Sequence, residues 1–165
     1  MLERTWVRFL VEGVIAVFMV LFLLPGVVAI WKTWTKQPRK YASAVAFKSL
    51  SVFLPATWEE RRWFSFVSIS AGICEEVLFR GFVLHYLHDG PLALNLTLAL
   101  FLSAIIFGLH HLYLGVGGVV QTVVGGLVFG CLFLLTGNLL LPILFHAASD
   151  LRILLLLPPP STSAA

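Results

Sequence analysis

From Gly90 through Ser149 the chain contains no Asp, Glu, Lys or Arg. No other feature limits its folding so strongly. A soluble domain carries charge over its whole surface, at roughly a quarter of its residues. A long apolar stretch without charge needs lipid or other apolar helices around it. Composition agrees: the 165 residues are 59% hydrophobic and 12% charged, with a mean hydropathy of +0.98. A disordered chain, which needs low hydrophobicity and high net charge, is excluded. Cys74 and Cys131 form no CxxC pair, which excludes a disulfide scaffold and a zinc ribbon. Since each crossing takes about 20 apolar residues, the expected fold is all-α. It is a polytopic membrane bundle of about five transmembrane helices plus one short amphipathic interfacial helix, with no room for a separate aqueous domain.

Most of the charges lie at or before Arg62, and they divide the chain. Residues 1–62 read as an anchor region, 63–157 as a four-helix membrane core and 158–165 as a disordered tail. The first apolar run, Phe9 to Ile30, is longer than the core of a secretory signal, contains Glu12 and lacks an A-x-A-like site. It reads as a retained transmembrane helix, kinked at Pro25-Gly26. Lys32, Lys36, Arg39 and Lys40 follow, and the positive-inside bias assigns the loop 32–40 to the cytoplasm. Apolar flanks argue against a nucleic-acid patch there. Within 41–57, Ala46, Phe47, Leu50, Phe53 and Leu54 share one helical face and Lys48 lies opposite, as in an interfacial helix. Four apolar segments follow, at 63–87, 91–114, 116–136 and 139–157. Their turns are expected at His88 to Pro91, Gly115 to Gly118 and Gly137-Asn138.

Ionisable groups inside such segments are costly, about 2.5–3.5 kcal/mol each at a helix centre, and usually face a bundle interior or a wet cavity. This chain places Glu75, Glu76 and Arg80 in one segment, His110 and His111 in the next, and His146 and Asp150 in the last. Glu76 and Arg80 are four apart and can pair on one face. Glu75 is rotated by about 100° from Glu76, beside Ser68, Ala71, Gly72 and Phe79. One carboxylate is thus held and the other left for chemistry. His146 and Asp150 also share a face, so the acid can fix the imidazole tautomer. Phe107 and His111 repeat this spacing one segment earlier.

Glu75-Glu76-x-x-x-Arg80, Phe107-x-x-x-His111 and His146-x-x-x-Asp150 resemble, in order, the three motifs of the CAAX-protease and bacteriocin-processing family of intramembrane proteases. The resemblance covers Glu75 to Asp150. It implies a membrane cleft that hydrolyses a peptide bond of a membrane-anchored or hydrophobic substrate. The chain itself reads as a multi-pass protein of a bacterial-type inner (plasma) membrane, with no nucleic-acid partner. Glu75 matches the catalytic glutamate, Glu76 and Arg80 the supporting ion pair, and His111 the histidine of the second motif. His146 and Asp150 match the third motif, where Asn is common. Asp150 is then an acceptor toward His146 instead of an amide donor.

Two mechanisms fit these residues. In the metal-free one, Glu75 activates water as general base, His111 binds the same water, and His146, oriented by Asp150, donates to the oxyanion. In the other, His111 and His146 join a carboxylate as zinc ligands. The absence of an HExxH helix, and the need to keep Glu75 free as base, favour the first, without a cofactor. A proton-coupled transporter would also use buried Glu and His. A haem protein would use the two histidines but leave Glu75 and Glu76 without a role. Gly126-x-x-x-Gly130 reads as close helix packing, the cysteines as core, and Asn138 with Pro142 as the start of the last helix. A simple up-down threading puts His111 and His146 toward opposite faces of the bilayer.

Overall fold

Thr57 and Glu60 start the first helix. Thr57 is extended and its hydroxyl accepts the Glu60 amide. In return the Glu60 carboxylate accepts the amides of Thr57 at 3.0 Å and Ala56 at 2.7 Å. This reciprocal box satisfies amides that a helix start leaves open. The computed structural model describes residues 54–157, together with Gly13. The expected first transmembrane helix (Gly13 aside, which is helical), the basic loop, the interfacial helix before residue 54 and the tail therefore lie outside the described residues. Helix α1 (Trp58–Glu76) begins before the apolar run expected at 63–87, because capping, not hydropathy, sets its boundary.

α1 continues without a break through a π-helical segment (Val77–Val83) into α2 (Leu84–His88). The sequence pattern marks this stretch as one segment but does not mark its wide middle, where each N–H reaches one residue further back than in an α-helix. The π segment starts directly after Glu76. Asn95 caps α3 (Leu96–His110) by accepting the Leu98 amide at 2.9 Å. The apolar residues 91–94 therefore belong to the preceding loop. At His111 the backbone leaves helical geometry and makes a 3₁₀ turn, Leu112–Leu114. Helix α4 (Gly115–Thr136) follows: Gly115, at φ +74°, makes the expected turn, and Gly117 and Gly118 already lie in the helix. Gly137 ends α4 with φ +67°, a conformation open to a residue without Cβ. The Asn138 side chain accepts the Leu140 amide and starts α5 (Leu140–Leu156). Pro142 sits in the first turn of α5, where its missing N–H costs nothing.

Every element among the described residues is helical. α3 and α4 pack antiparallel through glycines: a Cβ on Gly126 would lie 3.2 Å from Ala104, and one on Gly130 would meet Leu100. α5 packs mainly on α1, where Gly72 faces Ala147. Leu84 and Leu87 of α2 form an apolar cluster with Ala99 of α3. Among the described residues, Leu112–Thr136 is the one helix both long and apolar enough to cross a membrane, and Leu96–His110 is a shorter apolar one. Large apolar side chains such as Trp63, Phe66, Val116, Leu140 and Leu155 point outward, the reverse of what water favours.

Candidate active site

Ser68, Gly72 and Glu76 form the buried stripe of α1. At Gly72 the two helices come so close that an added Cβ would stand 3.1 Å from the Ala147 amide nitrogen. This approach brings His146 onto Glu76. The Glu76 side chain is 0% exposed, and its Oε1 accepts from Arg80 Nη1 at 2.8 Å and pairs with His146 Nδ1 at 2.7 Å. The second Arg80 amine, Nη2, donates to the Gly126 carbonyl at 2.8 Å. The flat guanidinium lies over the rings of Phe107 at 4.8 Å and Phe129 at 5.4 Å. An ion pair on one side, a carbonyl on the other and aromatic faces make the buried guanidinium tolerable. The expected Glu76–Arg80 pair is present, and Glu76 has a second partner that the i,i+4 rule within one helix could not reveal.

His111 closes α3 and folds its ring back, so that Nδ1 meets the Phe107 carbonyl at 2.9 Å. A carbonyl only accepts, so Nδ1 carries the proton and Nε2 faces away. His146 likewise gives Nδ1 to a carboxylate. Both free Nε2 atoms look at one oxygen, Glu75 Oε2, from 3.9 Å (His111) and 3.8 Å (His146). That oxygen is buried and makes no hydrogen bond. The rest of the Glu75 side chain reaches solvent or lipid, at 22% exposure.

Asp150 stands at the edge of the group, its Oδ2 3.9 Å from His146 Nε2. This is beyond hydrogen-bond range, so the carboxylate that fixes the His146 tautomer is Glu76 instead of Asp150. His111 and His146 also do not separate across the bilayer. Side chains lean toward a helix N-terminus, the His111 ring folds back toward Phe107, and His146 sits in the N-terminal half of α5. Both rings contact Phe107, at 4.9 Å and 5.8 Å. Threading by element length misses this lean. His110 is exposed and turns its ring toward Phe79 at 6.3 Å. Sequence reasoning also missed Phe129, stacked on His146 at 5.1 Å and 17°. It lies in an uncharged, largely apolar helix that carries no signal for it. The Gly126 carbonyl was missed too, and Gly126-x-x-x-Gly130 signals packing alone.

A zinc ion holds ligands at 2.0–2.2 Å, so tetrahedral donors lie about 3.3–3.6 Å apart. Glu75 Oε2 is farther than this from both nitrogens. Among the described residues no three His, Cys, Asp or Glu side chains are placed to hold a metal ion. As positioned, the group does not fit zinc.

Fold and cluster together define a helical membrane protein with a buried centre of carboxylates and imidazoles. Residues 57–152 match the family model of the Rce1-like type II CAAX prenyl endopeptidases, a span of more than half the chain that contains the whole cluster. The chain belongs to this family of membrane-embedded CAAX proteases. No curated protein and no solved structure matches it.

Proposed function

We propose that the chain is a multi-pass intramembrane endopeptidase that cleaves a peptide bond in a prenylated or otherwise membrane-anchored tail, with Glu75 as general base and without a metal. One observation carries this reading: the unbonded Glu75 Oε2 faces two imidazole nitrogens at 3.8 Å and 3.9 Å. A water oxygen fits between such atoms at ordinary hydrogen-bond length. One proton of this water points to Glu75 and the other to His111 Nε2, whose lone pair is free because Nδ1 is bonded to Phe107. The oxygen lone pairs are then left for the scissile carbonyl.

Attack transfers a proton from water to Glu75 and forms the carbon–oxygen bond. The carbonyl oxygen becomes an oxyanion. His146 Nε2–H donates to it, which requires the imidazolium form because Nδ1 already serves Glu76. Collapse breaks the carbon–nitrogen bond, and Glu75 returns its proton to the leaving amine. The products are a carboxylic acid and an amine, and the hydroxyl proton left on the acid then passes to the amine to give a carboxylate and an ammonium. A positioned acid–base group contributes about 10²–10⁴-fold, and one oxyanion donor about 10²–10³-fold. The five-helix arrangement and a cytoplasmic 32–40 loop are part of the same proposal. They rest on the apolar segments and the basic cluster.

Glu75→Gln, nearly isosteric, tests the reading. The variant is expected to insert and melt like the parent while cleavage of a farnesylated peptide falls by about 10²–10⁴-fold. Cleavage at the parent rate removes Glu75 from the mechanism.

A further inference from the structure

We propose that Phe129 of α4 is a positioning residue that holds the His146 ring in the plane its chemistry requires. The proposal rests on the reading of His146 as the oxyanion donor. A single hydrogen bond, Nδ1 to Glu76 Oε1 at 2.7 Å, fixes one point of that ring. It restricts the ring plane only loosely, because the last torsion of a histidine side chain is broad. The plane is set by aromatic neighbours. Phe129 lies face to face with the imidazole at 5.1 Å and 17°, and Phe107 meets it edge-on at 5.8 Å and 89°. Phe129 is 3% exposed and packs with Val128 and Leu132 in the core. The core therefore anchors the plate on which the imidazole rests. The same ring carries the Arg80 guanidinium at 5.4 Å. Phe129 thus keeps two cationic partners of Glu76 in register, since an aromatic face attracts both a guanidinium and an imidazolium. If the ring swings, Nε2 leaves the direction of Glu75 while the Glu76 bond can persist.

Phe129→Leu removes the flat face but keeps an apolar side chain. Leu87→Ala, in the separate apolar cluster of α2 and α3, controls for general loosening of the bundle. Both are made in the full chain, labelled with ¹⁵N-histidine and reconstituted in phospholipid nanodiscs. Melting temperature, the His146 ring ¹⁵N signals, and kcat and KM on a farnesylated peptide are measured. Phe129→Leu is expected to lower kcat by about 10–100-fold, as expected for a misaimed group, with KM nearly unchanged. Its His146 signals are expected to broaden or split. Leu87→Ala is expected to keep sharp His146 signals and the parent kcat despite a lower melting temperature. Sharp parent-like His146 signals in Phe129→Leu overturn the proposal, and so does an equal change in both variants. If the parent cleaves no peptide, the endopeptidase reading fails while the ¹⁵N signals still decide the role of Phe129.

Discussion

One carboxylate oxygen, Glu76 Oε1, holds both Arg80 and His146, and this explains why the two adjacent glutamates cannot exchange roles. Oε2 of both glutamates makes no hydrogen bond, but the Glu76 side chain is 0% exposed, whereas that of Glu75 opens outward. Two conservative changes separate the carboxylates around His146. Glu76→Gln removes the charge between two cationic groups, and breaking a buried pair in this way costs about 3–5 kcal/mol. It should lower both the melting temperature and kcat. Asp150→Asn should stay within about tenfold of the parent, since Asp150 lies outside hydrogen-bond range of the ring. Thermal melts and kinetics on the same preparations check both. A larger kcat loss in Asp150→Asn than in Glu76→Gln would return the orienting role to Asp150. The identity of these groups could be read from the sequence, because each is a charge or imidazole in an apolar helix. Their pairing could be read only within a helix. Glu76 with His146 joins α1 to α5, and no periodicity reports a contact between elements.

At the level of elements, α1 carries most of the instructions for the site. Its start is a local sequence signal, Thr57-x-x-Glu60, which hydropathy overlooks. The Thr57 amide, then that of Ala56, holds the Glu60 carboxyl below its ordinary range. A depressed folded value means that this contribution is complete above the unfolded pKa, about 4.3. It is lost as pH falls through the lower folded value. Acidification below about pH 4 should therefore release the first turn of α1 to amide exchange, and Glu60→Gln should remove this pH dependence. Farther along, Gly72 sets the distance to α5. Gly72→Val drives side-chain atoms into Ala147, an overpacking that costs about 1–3 kcal/mol. It should move His146 off Glu76 and depress kcat. At Gly81 a Cβ meets only a Leu139 methyl carbon at 3.7 Å, so Gly81→Ala should be tolerated. Equal kinetic losses in the two variants would remove the close approach as the reason. The π segment after Glu76 could not be foreseen, since its residues, Val77 to Val83, would also suit an ordinary helix.

Across the whole molecule, α1, α3, α4 and α5 each supply part of one centre: Glu75 and Glu76, His111, Phe129 and Gly126, and His146. Apolar helices without lateral charge can be drawn together by small residues, and the glycines facing Ala104, Leu100 and Ala147 allow this here. The helical class followed from the charge-free stretch, but the convergence of four helices did not, because it depends on tilt and side-chain lean. If the assembled bundle supplies all the chemistry, purified protein dialysed against a zinc chelator should cleave farnesylated peptide at the undialysed rate. Loss of cleavage that zinc restores would transfer the activating role to a metal. The Gly126 carbonyl that receives Arg80 Nη2 has a practical corollary. A main-chain oxygen survives every exchange of side chains, so alanine scanning would pass over one of the two tethers of that guanidinium. An ester in place of the amide after residue 126, introduced by chemical synthesis, would weaken the acceptor and make the tether visible.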